Sequence, residues 1–306
     1  MLKTIQDEIK AIKQERGVAI LAHSYQSPEI LEIADCQGDS YALSVAATKL
    51  RAKTVVLCGV RFMAETAKIL SPEKTVILPV ESATCPMAEQ ITPERVLAFR
   101  AEHPDYQVAA YVNTTAQLKA VSDVCVTSSS AVEIVRRMEA QKILFLPDKN
   151  LGSYVRQQVP EKEILIWDGC CPVHNSVTEE ECLAARRANP GMPLLAHPEL
   201  PAEVLRHADL IGSTAEILRY ARTHEEDCII GTEKTISDTL KLERPQYRYP
   251  LLSKKLICAD MRLTTLADVL RAVRGEGGEV IELEEAVRQK ARHAIEEMIR
   301  LGEAQG

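Results

Sequence analysis

The chain has 306 residues, is 46% hydrophobic and carries a formal charge of −7, so it can fill large buried cores and is not a disordered protein. Its acidic and basic residues are interspersed, without the basic face a nucleic-acid binder needs to release phosphate counterions. No apolar run approaches the roughly 20 residues of a membrane span, so no membrane partner is expected.

The first segment, "MLKTIQDEIKAIKQERG", places Ile5, Ile9 and Ile12 at helical spacing and has no signal-peptide core or cleavage site. A cytoplasmic protein is expected. Its nine cysteines would then sit in a reducing compartment, and their odd number forbids complete internal pairing. Cys58, Cys125, Cys182 and Cys228 lie in apolar or helical stretches and are expected to be small buried hydrophobes.

Short apolar runs alternate with amphipathic segments along the rest of the chain. "VAILA", "TVVLCG", "TVILPV", "QVAAYV", "KILFLP", "EILIW", "MPLLA", "CIIG" and "KLIC" predict strands of parallel sheets buried on both faces. The pattern repeats three times. "VAILAHSYQ", "VAAYVNTTA" and "MPLLAHPEL" each set a polar residue just after a strand: His23, Asn113 and His197. "ADCQGDS", "SDVCVTS" and "ADLIGST" follow, each with Asp in second place and a hydroxyl at the end. A third strand leads to a polar turn, and a fourth runs into Cys85, then Cys170 or Cys171, then Cys258. Helices are expected over 3–16, 92–102 and 178–188, the later two capped by Thr92 and Thr178.

The expected organisation is therefore α/β, with three units of about 86 residues and a helical tail. The boundaries fall at 1–85, 86–171 and 172–258, and the tail, 259–306, packs back on the units.

Ligand groups gather at the carboxyl ends of parallel strands, where the three cysteines and the hydroxyl turns lie. Three thiolates converging from three units suit a [4Fe–4S] cluster with one iron left open as a Lewis acid. A three-cysteine zinc site with water is the rival, although sulfur-only ligation favours iron–sulfur. An electron carrier would gain nothing from anion-binding turns. The repeat period alone does not choose between Cys170 and Cys171.

A longer set of motifs narrows the reading. "AHSYQSPEILEIADCQGDS", "GVRFMAETAKIL", "TCPMAEQ", "YVNTTAQLKAVSDVCVTSSSA", "PDKNLG", "GCCPVH", "AHPE", "GSTAEI", "GTEKT" and "CADMRLTTL" occur in that order over essentially the whole chain. In them the chain resembles the quinolinate synthase family, the A protein of de novo NAD biosynthesis. The resemblance implies three Rossmann-like αβα domains around a pseudo-threefold axis. It implies condensation of iminosuccinate with dihydroxyacetone phosphate to quinolinate, phosphate and water, with iminosuccinate supplied by an L-aspartate oxidase or dehydrogenase. It also implies an oxygen-sensitive [4Fe–4S] cluster on three cysteines. The family's C-P-M-A, C-x-V-H and C-x-x-M motifs fall on Cys85, Cys171 and Cys258, which leaves Cys170 a bystander.

Substrate groups are assigned with the same resemblance in view. Two carboxylates and a phosphate need anion sites, which Ser40, Ser128, Ser213 and Thr214 are placed to provide. His23, Tyr25, Tyr111 and Asn113 are hydrogen-bond donors to substrate oxygens. His197 and Glu199 are the expected acid/base pair and a part of the substrate site, with Tyr25 a further proton carrier. His174 is expected to play a supporting structural role and Met63 and Glu65 to line a domain interface, while Cys36 receives no role.

Overall fold

The computed structural model describes residues 2–302. The chain runs α1 (Leu2–Arg16), β1 (Val18–His23), α2 (Pro28–Leu31), β2 (Cys36–Gly38), α3 (Ser40–Lys49), β3 (Thr54–Cys58), α4 (Arg61–Leu70) and β4 (Thr75–Leu78). The succession returns as α5 (Pro93–Glu102), β5 (Tyr106–Tyr111), α6 (Ala116–Lys119), β6 (Val124–Val126), α7 (Ala131–Arg137), β7 (Lys142–Leu146), α8 (Lys149–Gln158) and β8 (Glu163–Ile166). A third round gives α9 (Glu179–Ala188), β9 (Leu194–Ala196), α10 (Ala202–Leu205), β10 (Leu210–Ile211), α11 (Thr214–Thr223), β11 (Ile229–Gly231) and α12 (Lys234–Glu243). α13 (Leu266–Arg274), β12 (Glu279–Val280) and α14 (Glu285–Gly302) close the chain.

The strands form three sheets, ordered β12-β4-β3-β1-β2, β6-β5-β7-β8 and β10-β9-β11. All pairs are parallel except β12 with β4. The fold is thus α/β, built of Rossmann-like layers of parallel sheet and helix. Two compact units result: residues 1–85 with 258–289, and residues 86–257 with 290–306. The second and third repeats share the latter unit. Met1 and residues 303–306, which belong to the outer segments of the expected division, lie outside the described residues. No described helix is long and apolar enough to cross a membrane.

One expected strand does not form. "KLIC" lies in a turn, where the Leu256 amide donates to the Ser253 carbonyl at 3.2 Å and the Lys255 amide to the Ser253 hydroxyl at 3.1 Å. A single bridge, Ile230 with Leu251, is all that extends the third sheet on that side. Leu252 and Leu256 are nonetheless buried in the core of that repeat. Thr178 closes a capping box with Glu181, whereas Thr92 sits at the N-cap of α5 without a side-chain cap bond.

The recurring aspartate has a structural cause. In each repeat one oxygen of Asp35, Asp123 or Asp209 accepts from the amide 15 residues earlier, Ile20, Val108 or Leu194, at 2.7–2.8 Å. The aspartate amides donate back to the carbonyls of the same three residues. A cation from the repeat's first helix, Lys13, Arg100 or Arg186, binds each carboxylate at 2.7–2.8 Å. Helix, first strand and second strand are thereby locked together three times over.

A buried lysine adds a second tie in two repeats. Lys74 Nζ donates to the Leu50 and Ala52 carbonyls, and Lys162 Nζ to those of Met138 and Ala140. The tail completes the first unit: α13 carries a Thr265–Asp268 capping box, packs Val269 and Val273 into the core with Ile9 and Ile20, and ends at Gly275 with φ +74°.

Asp123→Ala strands the Val108 amide and leaves Arg100 with only its bond to the Val121 carbonyl. It should cost about 2 kcal/mol in chemical denaturation, mostly from the unpaired amide. Arg100→Ala leaves the amide bond in place and should cost about 0.5–1 kcal/mol, as for a partly exposed ion pair.

Candidate active site

The turns after the third strand of each repeat are fastened to the cysteine segments by one recurring hydrogen bond. Arg61 N donates to Ala83 O at 2.9 Å, Lys149 N to Gly169 O at 2.7 Å and Lys234 N to Leu256 O at 2.8 Å. Each acceptor lies two residues before a cysteine: Cys85, Cys171 and Cys258. By this bond Cys171, and not Cys170, holds the position equivalent to the other two.

The segment around Cys171 is tightly set. Gln90 grips the peptide of Cys170 with both ends of its carboxamide, accepting from the amide at 2.8 Å and donating to the carbonyl at 3.0 Å. A Cβ on Gly169 would come within 2.6 Å of Pro147 O and 2.7 Å of Gln90 Oε1, so only glycine fits there. The fully buried Asp148 caps α8 through the Leu151 amide at 2.7 Å and accepts from the Cys171 amide at 2.9 Å.

His174 sits at the centre of the second unit's polar cluster, 3% exposed. Its Nδ1 lies 2.8 Å from Glu199 Oε2 and 3.3 Å from Cys171 Sγ, and its Nε2 lies 3.2 Å from Thr232 Oγ1. The shorter contact to Glu199 assigns the proton to Nδ1, with the Thr232 hydroxyl donating to Nε2. His197 packs its ring 5.1 Å from that of His174, with Nδ1 3.9 Å from Glu199 Oε2. Tyr111 adds a side-chain hydrogen bond to Glu199. Asn150 donates to the Glu199 carbonyl at 2.8 Å and fixes its backbone.

Burial and charge set the protonation states. Burial pushes His197 down to about 4, despite the opposing pull of Glu199, so its imidazole is neutral near pH 7. Burial acts to raise Glu199, but the two histidines and the Tyr111 hydrogen bond outweigh it and hold the carboxyl below its ordinary range. Asp148 goes the other way, to about 7, through burial first and the Glu199 charge second. A neutral imidazole beside an ionised buried carboxylate is a proton-transfer pair.

Comparison with known proteins now identifies the fold's lineage. Residues 7–300 match the family described as Quinolinate synthetase A protein. The chain belongs to that family. It is 47% identical to the quinolinate synthase of Alkaliphilus metalliredigens over 96% of this chain and 97% of the relative. It is 45% identical to that of Clostridium kluyveri, again over 96% and 97%, and 43% identical to that of Caldicellulosiruptor bescii over 98% and 99%. The quinolinate synthetase A family is one of enzymes, and the chain is an enzyme.

Within this family member, the first unit carries His23, Tyr25, Ser40, Cys85 and Cys258. His23 ends β1, buried, and accepts the Tyr25 amide on Nδ1 at 3.1 Å; the Glu199 amide meets His197 Nδ1 in the same way at 3.4 Å. Tyr111 ends β5, half-buried Asn113 follows it, and Ser128 lies in a turn held by hydroxyl contacts of Thr127 with Ser129 and Ser130 at 2.9 Å.

The other two hydroxyl turns already contain carboxylates. Asp39 caps the helix that starts at Ser40, and Ser213 and Glu216 close a capping box at the helix that starts at Thr214. There Glu216 Oε2 accepts from both the amide and the hydroxyl of Ser213, at 2.7 and 2.8 Å.

Cys58, Cys125, Cys182 and Cys228 are buried, and burial raises all four thiols: Cys58 and Cys228 to about 12, Cys125 to about 11. The half-exposed cysteines are Cys36, Cys85, Cys170, Cys171 and Cys258. Lys149 pairs with Asp168 and Lys234 with Asp238.

Sequence reasoning placed Tyr111, Cys171, His197 and Glu199, which the second unit brings together. It gave no functional weight to Asp148, Asn150 and Thr232, and little to His174. The signal available was positional: "PDKNLG" and "GTEKT" follow third strands in equivalent places.

The depressed His197 pKa has a pH consequence. An unfolded imidazole takes its proton as pH falls through 6.5, while the folded one refuses it until about 4. Stability should therefore fall with pH across that window. The pH slope of denaturation free energy should be shallower in His197→Gln by up to about one proton.

Proposed function

We propose that the chain makes quinolinate by condensing iminosuccinate with dihydroxyacetone phosphate, releasing phosphate and two waters. The observation that carries this reading is Glu199, a buried, ionised carboxylate held by His174 and Tyr111 beside neutral His197. The condensation needs protons removed from carbon and returned to departing oxygen, and such a pair supplies both directions. Glu199 takes the proton, His197 relays it or donates a hydrogen bond to a substrate carbonyl, and Tyr25 serves as a second proton carrier. His23, Tyr111 and Asn113 orient substrate carboxylates. Ser40, Ser128, Ser213 and Thr214 supply hydroxyl and amide donors for anionic groups. At Ser213, Glu216 has to yield to an incoming anion.

The cofactor we assign is a [4Fe–4S] cluster on Cys85, Cys171 and Cys258. The donor set suits it: these three cysteines are half-exposed, follow the same recurring backbone bond, and offer sulfur alone. When bound on three thiolates, the cluster leaves one iron free to act as a Lewis acid towards a substrate oxygen or nitrogen. Family membership supports the same assignment. We take the three repeats, 1–85, 86–171 and 172–258, as three domains with 259–306 as their tail. An L-aspartate oxidase or dehydrogenase supplies the iminosuccinate, and the cytoplasm is the expected location.

Anaerobic, iron-replete protein given both substrates, with iminosuccinate generated in situ, should form quinolinate; none forming would overturn the reading. Glu199→Gln should lower turnover by about 10²–10⁴-fold while keeping its iron. Cys171→Ser should lose iron and the brown colour, and Cys170→Ser should keep both.

A further inference from the structure

Among the described residues, one group of histidine, cysteine and acidic side chains has its donor atoms within 4.8 Å of one another: Cys171 Sγ, His174 Nδ1 and a Glu199 oxygen. Thiolate, imidazole and carboxylate are the ligands of three-coordinate protein zinc sites, which keep a fourth position for water. Zinc bonds of about 2.0–2.3 Å set tetrahedral donors roughly 3.3–3.8 Å apart. The observed separations of 2.8 Å from nitrogen to oxygen and 3.3 Å from nitrogen to sulfur need to open by less than 1 Å, and the sulfur and the Glu199 oxygen, within 4.8 Å of each other, need to shift by no more than about 1.5 Å.

The surrounding groups are those of a metal site. Thr232 Oγ1 lies on the far nitrogen of His174, Tyr111 hydrogen-bonds Glu199, and Asp148 holds the Cys171 amide. Such partners orient first ligands and fix the imidazole tautomer. Cys171 is also half-exposed, which gives an ion a way in.

We propose that the cluster-free protein binds one divalent zinc-class ion through Cys171, His174 and Glu199, at a site distinct from the three-cysteine set. Binding releases the Cys171 thiol proton to solvent and moves the His174 proton from Nδ1 to Nε2, where Thr232 turns from donor to acceptor. Because Cys171 serves both sites, zinc and the cluster exclude each other. This last point rests on the cluster reading; the zinc site does not.

Cobalt is the probe, since its thiolate charge-transfer and tetrahedral d–d bands report sulfur ligation directly. Cluster-free full-length protein, titrated anaerobically with Co²⁺, should show both bands at one equivalent, and Zn²⁺ should bleach them. Cys171→Ser, nearly isosteric, should lose the charge-transfer band with an unchanged circular dichroism spectrum. Glu199→Gln should weaken cobalt binding at least tenfold. Cys85→Ser and Cys258→Ser should bind cobalt within about twofold of the unaltered chain. Loss of the cobalt bands in either of those two would assign the ion to the three-cysteine set and overturn the proposal, as would absence of a charge-transfer band in the unaltered protein. The Cys85→Ser protein should also fail to take up iron, so the zinc and cluster readings fail separately.

Discussion

A buried strand amide with no neighbour to accept its proton costs about as much as a lost hydrogen bond, and each repeat of this chain solves that problem with an aspartate. Asp35, Asp123 and Asp209 satisfy the amides of Ile20, Val108 and Leu194 and carry a cation from the preceding helix. The cation contributes little by itself, since both partners are partly exposed. Its use is geometric: it fixes where the helix lies relative to the first two strands. With those strands set, the residues three positions beyond each latched amide (His23, Tyr111 and His197) fall in equivalent places, so the structural counterpart of the two histidines is Tyr111 and not, as the sequence repeat suggested, Asn113.

The backbone bond from Arg61, Lys149 and Lys234 does the same for the far side of each repeat. It holds the cysteine segment against the turn after the third strand without using the cysteine side chain. The bond is made by backbone atoms alone. In the second repeat the arrangement is reinforced by Gln90 and Asp148, so Cys170 is spent on architecture through its peptide while Cys171 faces His174 and Glu199.

The repeat was readable in the sequence because the aspartate latch recurs in each unit at the same 15-residue distance from strand amide to carboxylate. The four inert cysteines were readable because their neighbours are apolar, and burial is what raises their thiols. His174 was not readable as a centre. Its partners Glu199 and Thr232 lie 25 and 58 residues away in sequence, and only packing brings them together. "KLIC" misled for a related reason. Apolar spacing records that Leu256 is buried, and it carries no information on whether the backbone pairs or turns.

The first sheet is completed from the wrong end of the chain. β12 pairs residues 279–280 with 77–78, and α13 packs against α1. Sheets two and three draw their strands from short contiguous stretches. A ribosome therefore delivers all the strands of the second and third sheets while the first sheet still lacks an edge and α1 still lacks its helical neighbour. The most distant pairings carry the largest loop-closure cost and cannot form before residues 266–280 are made. Until then the apolar face of α1, with Ile5, Ile9 and Ile12, is waiting for its cover, and a nascent chain stalled short of residue 260 would present that face to chaperones.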